Sequence, residues 1–280
     1  MSHPALAVAF AIFIWWFSTG AVFVLARRGE RHEWRVAIAA TGIALLAFVG
    51  LYISARMDTV AGAYIAFGSA LAVWAWHEVM FLIGCIAGPR RFSATPGLRG
   101  GARFREAFAT VRDHELAIAA TAPLIVLLTL GATNTVGLWT FIVLWVMRVS
   151  AKLSIYLGAR HSLNEMIPER LAYLTTYFRT DRTTPFLPLV IVLGIGVLAW
   201  LCSLGMAADP VQMVGIALIA TLLGLAILEH IFLSLPVPDA LLWLWAAPTK
   251  PKTDNHKTRV PMAKDHTGPK TVEGGGVSWT

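Results

Sequence analysis

The sequence predicts an all-α fold, a polytopic membrane helix bundle of about seven transmembrane helices. Three observations carry that reading. Hydrophobic residues fill 57% of 280 positions and charged residues only 14%, against roughly a quarter charged in a soluble domain; mean hydropathy is +0.66. The apolar residues gather into runs near the ~20 residues that a crossing helix needs. Arginine-rich connections alternate with arginine-poor ones, as membrane orientation requires.

The runs come in order at 4–26, 35–55, 60–88, 115–132, 136–157, 185–207 and 211–235. The first lacks a basic leader and exceeds an ordinary signal-peptide core, so it reads as a retained helix. Arg27, Arg28, Arg31 and Arg35 follow it. The connection after the second run carries only Arg56. The third run ends at Gly88-Pro89-Arg90-Arg91, and Arg99, Arg103, Arg105 and Arg112 follow before the fourth. Within residues 99–113, Phe104, Phe108 and Val111 fall at helical spacing opposite arginines, which suits an amphipathic cytoplasmic helix on anionic headgroups. Gly131 to Thr135 makes a tight turn into the fifth run. The next connection is basic again, with Arg160, Arg170, Arg179 and Arg182, and its stretch 162–178 reads as a short helix beginning near Pro168. Ala208-Asp209-Pro210 turns the sixth run into the seventh without a basic residue. The alternation puts the N-terminus in the periplasm and the C-terminus in the cytoplasm.

Two units follow: an integral membrane domain, 1–248, and a disordered cytoplasmic tail, 249–280, polar and without apolar periodicity. The piece 238–247 is too short to span and reads as interfacial. The net charge of +7 belongs to membrane orientation, so nucleic acid is not an expected partner and membrane lipids are. Cys85 and Cys202 lie in separate runs near opposite faces and are not expected to form a disulfide. No internal repeat supports an inverted-repeat transporter. No phosphate-binding, nucleophile-elbow or dinucleotide fingerprint occurs.

Charged and imidazole side chains interrupt the apolar runs: His77-Glu78, Arg148 with Lys152, Glu229-His230, and His114-Glu115 at the start of the fourth run. Each charge costs roughly 2.5 kcal/mol or more in a bilayer, so it faces a protein interior, a partner or a ligand. The predicted topology places all of them in the cytoplasmic half of the membrane. Trp74, His77, Glu78, Phe81 and Cys85 form one stripe, and Arg148, Lys152 and Tyr156 another. Like charges four residues apart repel, so Arg148 and Lys152 require anions, and Glu78 and Glu229 are the ones expected to supply them.

Three readings are open for this cluster. It is a structural ion network between helices. Or the His-Glu pairs ligate iron, manganese or zinc in a metal-dependent enzyme, although adjacent residues point about 100° apart and no E-x-x-H or H-E-x-x-H spacing occurs. Or an imidazole binds the central metal of a tetrapyrrole while Arg or Lys holds a carboxylate or carbonyl. His77, with Trp74 and Trp76 as stacking surfaces, is the cofactor-binding candidate in that reading. The commoner role of such tryptophans is to anchor a helix at the interface or face lipid. A structural subunit or small-solute transporter is the remaining class.

The segments W-H-E-V-M-F-L-I-G-C-I-A-G-P-R-R (76–91), R-F-x-x-A through H-E-L-A (103–117), L-W-T-F-I-V-L-W-V-M-R-V-S-A-K-L (138–153) and E-x-x-P-x-x-L-x-Y-L-x-x-Y-F (165–178) together resemble the PuhE family of photosynthetic complex assembly proteins of purple bacteria. The resemblance implies a multi-pass protein of the intracytoplasmic photosynthetic membrane. It implies reaction-centre and light-harvesting polypeptides or other assembly factors as partners, and bacteriochlorophyll or a precursor as ligand. It implies no catalytic reaction. His77, Glu78, His114, Glu115, Arg148 and Lys152 lie in the matching segments; Glu229 and His230 do not.

Overall fold

The computed structural model describes residues 4–159, 167–181 and 183–235. Among them the chain is helical throughout: α1 Pro4–Ser54, α2 Val60–Leu82, α3 Gly100–Leu128, α4 Val136–Gly158, a 3-10 helix Glu169–Tyr177, α5 Phe186–Ala207 and α6 Pro210–Phe232. The expected interfacial piece 238–247, the tail 249–280 and the start of the 162–178 segment lie outside the described residues.

The two expected N-terminal helices are limbs of α1, divided where His32 leaves helical geometry at φ −139°, ψ 48°. The limbs run antiparallel. Ala7 and Ala11 pack with Ala63, Phe67 and Leu71. Past the break, Val36 and Ala40 meet Val22, Val79 and Ile83, and Ala47 and Leu51 return to Ala70 and Val73. Alanines recur on the inner face because two helices close on α2 from the same side and only short side chains admit both.

Among the described residues, six segments are long and apolar enough to cross a membrane: Pro4–Gly29, Arg31–Ser54, Val60–Leu82, Val136–Gly158, Phe186–Ala207 and Pro210–Phe232. The expected fourth run is not among them. It forms the second half of α3, and its first half is the segment expected to lie flat on headgroups. From Leu116 to Leu128 the uninterrupted apolar part is roughly 20 Å long at 1.5 Å per residue, short of the ~30 Å hydrocarbon. The outward surface suits lipid: Leu45, Leu46, Ile38, Val192, Leu193 and Met206 are all exposed.

Helix starts follow local chemistry. Thr59 caps α2 by accepting from the Gly62 N–H at 3.1 Å. Asp209 caps α6 through the N–H groups of Val211 and Gln212, with Pro210 in the first turn, where a missing N–H costs nothing. α2 ends at Leu82, six residues before the expected stop, because Gly84 takes φ +84°, which side-chain-bearing residues avoid.

The connection after α2 then crosses α3. Gly88 N–H donates to Thr110 O at 2.8 Å and Arg90 N–H to Ala109 O at 3.3 Å. Val111 consequently packs toward Phe81, Ala87 and Leu171, while Phe104 and Phe108 stay exposed. Only part of the expected headgroup face is free. Arg90 Nε donates to Tyr177 Oη at 2.8 Å and Arg103 Nη2 to Tyr177 O at 2.7 Å, pinning the 3-10 helix to the same platform. Arg90 also pairs with Glu106 at 3.1 Å.

Two predictions arise. A Cβ on Gly88 would collide with the backbone of Ala109 and Thr110, which has no way to yield. Gly88→Ala is therefore expected to cost about 1–3 kcal/mol, as overpacking does, read as a lower melting temperature in detergent. The second concerns acid. The Thr95 hydroxyl bond, with the Thr95 N–H and Arg90, holds the Glu106 carboxyl below its usual range. A depressed carboxyl contributes stability above its unfolded pKa of about 4.3 and loses it as pH falls through the folded value. Hydrogen exchange across 88–98 is expected to accelerate below that range and not above it.

A buried charge cluster in α2, α3 and α4

Helical phase brings the expected residues together. Glu78 projects from α2 toward α4, where Arg148 Nη2 donates to its Oε2 at 2.9 Å. One turn further along α4, Lys152 pairs with Glu115 of α3. The anion for Lys152 is thus Glu115 rather than Glu229. Glu229 on α6 is exposed and acts on Arg148 electrostatically. The network ties α2, α3 and α4, with α6 contributing at its margin.

The histidines divide into two kinds. His77 is fully buried. Its Nδ1 lies 2.9 Å from Val73 O, so this nitrogen carries the proton and donates. Its Nε2 lies 3.0 Å from Thr121 Oγ1. Both ring nitrogens face protein oxygens, and ligation by His77 would sacrifice one of those contacts. His230 resembles it: Nδ1 donates to Ala226 O at 2.8 Å, and Nε2 lies 2.9 Å from Ser150 Oγ in the α4/α6 seam.

His114 differs. It is fully buried; neither ring nitrogen makes a hydrogen bond of good geometry, and the one polar group it engages is the His77 backbone, at looser geometry. Its ring packs on Phe81 with centroids 4.6 Å apart; Lys152 Nζ lies 5.5 Å from that same Phe81 ring. Glu78 Oε1 and Arg148 Nε are also buried and unpartnered. Native proteins rarely leave such atoms unsatisfied, and these three side chains belong to one electrostatic cluster, since Arg148 and Lys152 both act on His114 and Glu78 pairs with Arg148.

The remaining candidates serve packing. Trp74 is buried beside Phe141, centroids 5.7 Å apart, and Trp76 Nε1 donates to Thr41 Oγ1 on α1 at 3.0 Å. Neither faces lipid as an anchor. Cys85 and Cys202 are free thiols. Among the described residues, no three His, Cys, Asp or Glu side chains converge as a metal site would require. The His-Glu neighbours diverge as helix geometry dictates: His230 enters the α4/α6 seam while Glu229 faces outward.

The signal missed in sequence was the role of Glu115: it stood in the expected cluster, but only Glu78 and Glu229 were expected to supply the anions, whereas Glu115 pairs with Lys152. The i, i+4 spacing of Arg148 and Lys152 already demanded two anions, and His114-Glu115 offered the second.

Double variants test the pairing. Removing one member of a buried pair costs about 3–5 kcal/mol because a charge is stranded. Glu115→Gln is expected to lower the yield of folded protein, with Lys152→Met restoring it and Arg148→Met failing to. Glu78→Gln should show the opposite rescue pattern. Folded yield is read by size-exclusion chromatography in mild detergent.

A protein of Rhodobacter capsulatus, described as an uncharacterized 30.4 kDa protein in the puhA 5′ region, is 35% identical over 254 residues, covering 89% of this chain and 93% of the relative. No solved structure matches the chain. A family model described as a protein of unknown function, DUF3623, matches residues 1–254, and the chain belongs to that family.

Proposed function

We propose that the protein is a non-enzymatic assembly factor of photosynthetic complexes, a PuhE-type protein. It acts within the photosynthetic membrane on nascent reaction-centre and light-harvesting polypeptides, or on the bacteriochlorophyll supplied to them. The setting is supported by the relative encoded 5′ of puhA and by the sequence resemblance above, which points the same way.

The observation that carries the ligand-handling part is His114. A buried imidazole whose nitrogens make no well-formed hydrogen bond, only a loose one to the His77 backbone, is costly as a structural residue, since an unpaired buried polar group loses about 1–3 kcal/mol. It fits a bacteriochlorophyll or precursor better than His77 does, because it gives up no well-formed hydrogen bond on binding. Bacteriochlorophyll, if bound, would supply a Lewis-acidic magnesium ion, and the neutral imidazole of His114 would be the residue to hold it. The chain's own part is to present that nitrogen, to back it with the Phe81 ring, and to keep the flanking charges paired. Trp74 and Trp76 are engaged in helix packing and serve the site by holding α2 in place.

Loss of the protein from a phototrophic host is expected to lower assembled reaction-centre and antenna absorbance relative to total pigment. An unchanged near-infrared spectrum would overturn the assembly role. His114→Leu separates ligand from structure. With no ligand, the change removes an unsatisfied polar group and should raise the melting temperature while leaving the spectrum intact. With a ligand, the protein remains abundant and the spectrum resembles that of the null strain.

A further inference from the structure

Where α1 bends and α2 stops, a cleft of about 350 Å³ opens at the end of the bundle. Its walls are Glu33 beside the break at His32, Ile83 and Gly84 after α2, Arg91, and Arg170 with Leu171 on the 3-10 helix. Ile83 and Leu171 are buried and form its apolar side. The polar side sets two guanidiniums against one carboxylate, so the lining carries an excess of positive charge.

Both guanidiniums are held in place. Arg91 Nη2 donates to Gly84 O at 2.8 Å, and Arg170 Nη1 donates to Ile83 O. The acceptors are the carbonyls of the α2 C-cap residue and the one after it, which the helix itself leaves without partners. Capping α2 is the structural role of the two arginines. It engages one terminal nitrogen of each, and a guanidinium has five donors. Because the anchors are consecutive carbonyls, the two heads are brought to one place. Glu33 does not close the charge balance. Its Oε2 stands 3.8 Å from Arg170 Nη1, beyond hydrogen-bond length, and its Oε1 accepts from the Cys85 thiol at 3.4 Å. Its side chain is also the more open of the two, 55% accessible against 26% for Arg170. Glu33 is a loose counter-ion that a better anion can displace.

We infer that this cleft is a binding site for a phosphate group, carried by a lipid headgroup or by a soluble phosphate ester. The excess charge of the lining calls for an anion. Both cations are arginines, whose planar forks match phosphate oxygens. One fork fills the two oxygens of a carboxylate, whereas a tetrahedral phosphate presents edges to two forks. Carbonyl anchoring leaves less side-chain ordering to be done on binding. The cleft lies where a membrane-crossing segment, Val60–Leu82, ends, the depth at which basic pockets take headgroups. The bend itself adds Arg27, Arg28, Arg31 and Arg35 against Glu30 and Glu33, so the approach is positive as well.

The test uses the full chain in dodecyl maltoside, a phosphate-free detergent, with Cys202→Ser leaving Cys85 as the sole thiol. The rate at which a neutral maleimide alkylates Cys85 reports on the cleft, because that thiol is bonded to Glu33. Glycerol 3-phosphate is the soluble probe, dihexanoyl phosphatidylglycerol the lipid probe and ionised laurate the carboxylate control. A phosphate probe is expected to change the rate saturably. Arg91→Lys keeps the charge but loses the fork, and is expected to raise the half-saturating concentration about tenfold. Glu33→Gln removes the competing carboxylate and is expected to lower it about threefold. Both side chains are exposed, so the melting temperature should stay unchanged. Tighter binding of phosphatidylglycerol assigns the site to lipid, and tighter binding of glycerol 3-phosphate assigns it to a soluble ester. No saturable effect of either probe, or the same half-saturation in both variants as in the parent, would overturn the site. Laurate saturating at as low a concentration as the better phosphate probe would overturn the phosphate assignment.

Discussion

Two ion pairs at one depth, Glu78 with Arg148 and Glu115 with Lys152, set the arrangement of the middle of this bundle. In water such pairs are worth about 0–1 kcal/mol. Inside a membrane the alternative for each partner is an unpaired charge in hydrocarbon, so the pairs fix register whatever they contribute to stability. Arg148 and Lys152 stand one turn apart on α4 and take their anions from different helices. α2 and α3 are thereby held at one axial position relative to α4. His77 bridging to Thr121 between α2 and α3 locks the third side of the triangle.

That constraint explains why α3 is tolerated where its apolar length falls short. Its Glu115 satisfies a cation instead of lipid, and its first half is roofed by the connection that crosses at Gly88. The roof depends on backbone contact, which only glycine allows. The arginines along this face act through specific acceptors, among them Tyr177 and Glu106.

Much of this was legible in the sequence. Hydropathy and arginine alternation pointed to the helical membrane class, and shared depth named Glu78 and Glu229 as the anions for Arg148 and Lys152, of which Glu78 does pair with Arg148. Three things were hidden, each for a physical reason. The return between the first two helices was expected, but its tightness was not: a single non-helical residue, His32, suffices where residues 27–34 read as a loop. The continuity of α3 was obscured because Arg112, Asp113 and Glu115 resemble a helix boundary when their partners are not visible. His114 and His77 look alike in sequence, and only the neighbours supplied by other helices distinguish a satisfied imidazole from an unsatisfied one. Trp74 and Trp76 were misleading in the same way: a tryptophan suited to an interface is equally suited to a tight helix seam when its N–H finds a threonine.

The return of α1 at His32 bears on how the protein enters its membrane. With scarcely a residue between the limbs, Pro4–Gly29 and Arg31–Ser54 have no independent connecting loop. They form one hairpin, with Arg27, Arg28, Arg31 and Arg35 together at its bend. The α2 surface that receives both limbs emerges only afterwards. Until it does, the alanine faces of the hairpin have no partner but each other and lipid, so biogenesis of the whole bundle waits on the strand of chain that also carries Glu78.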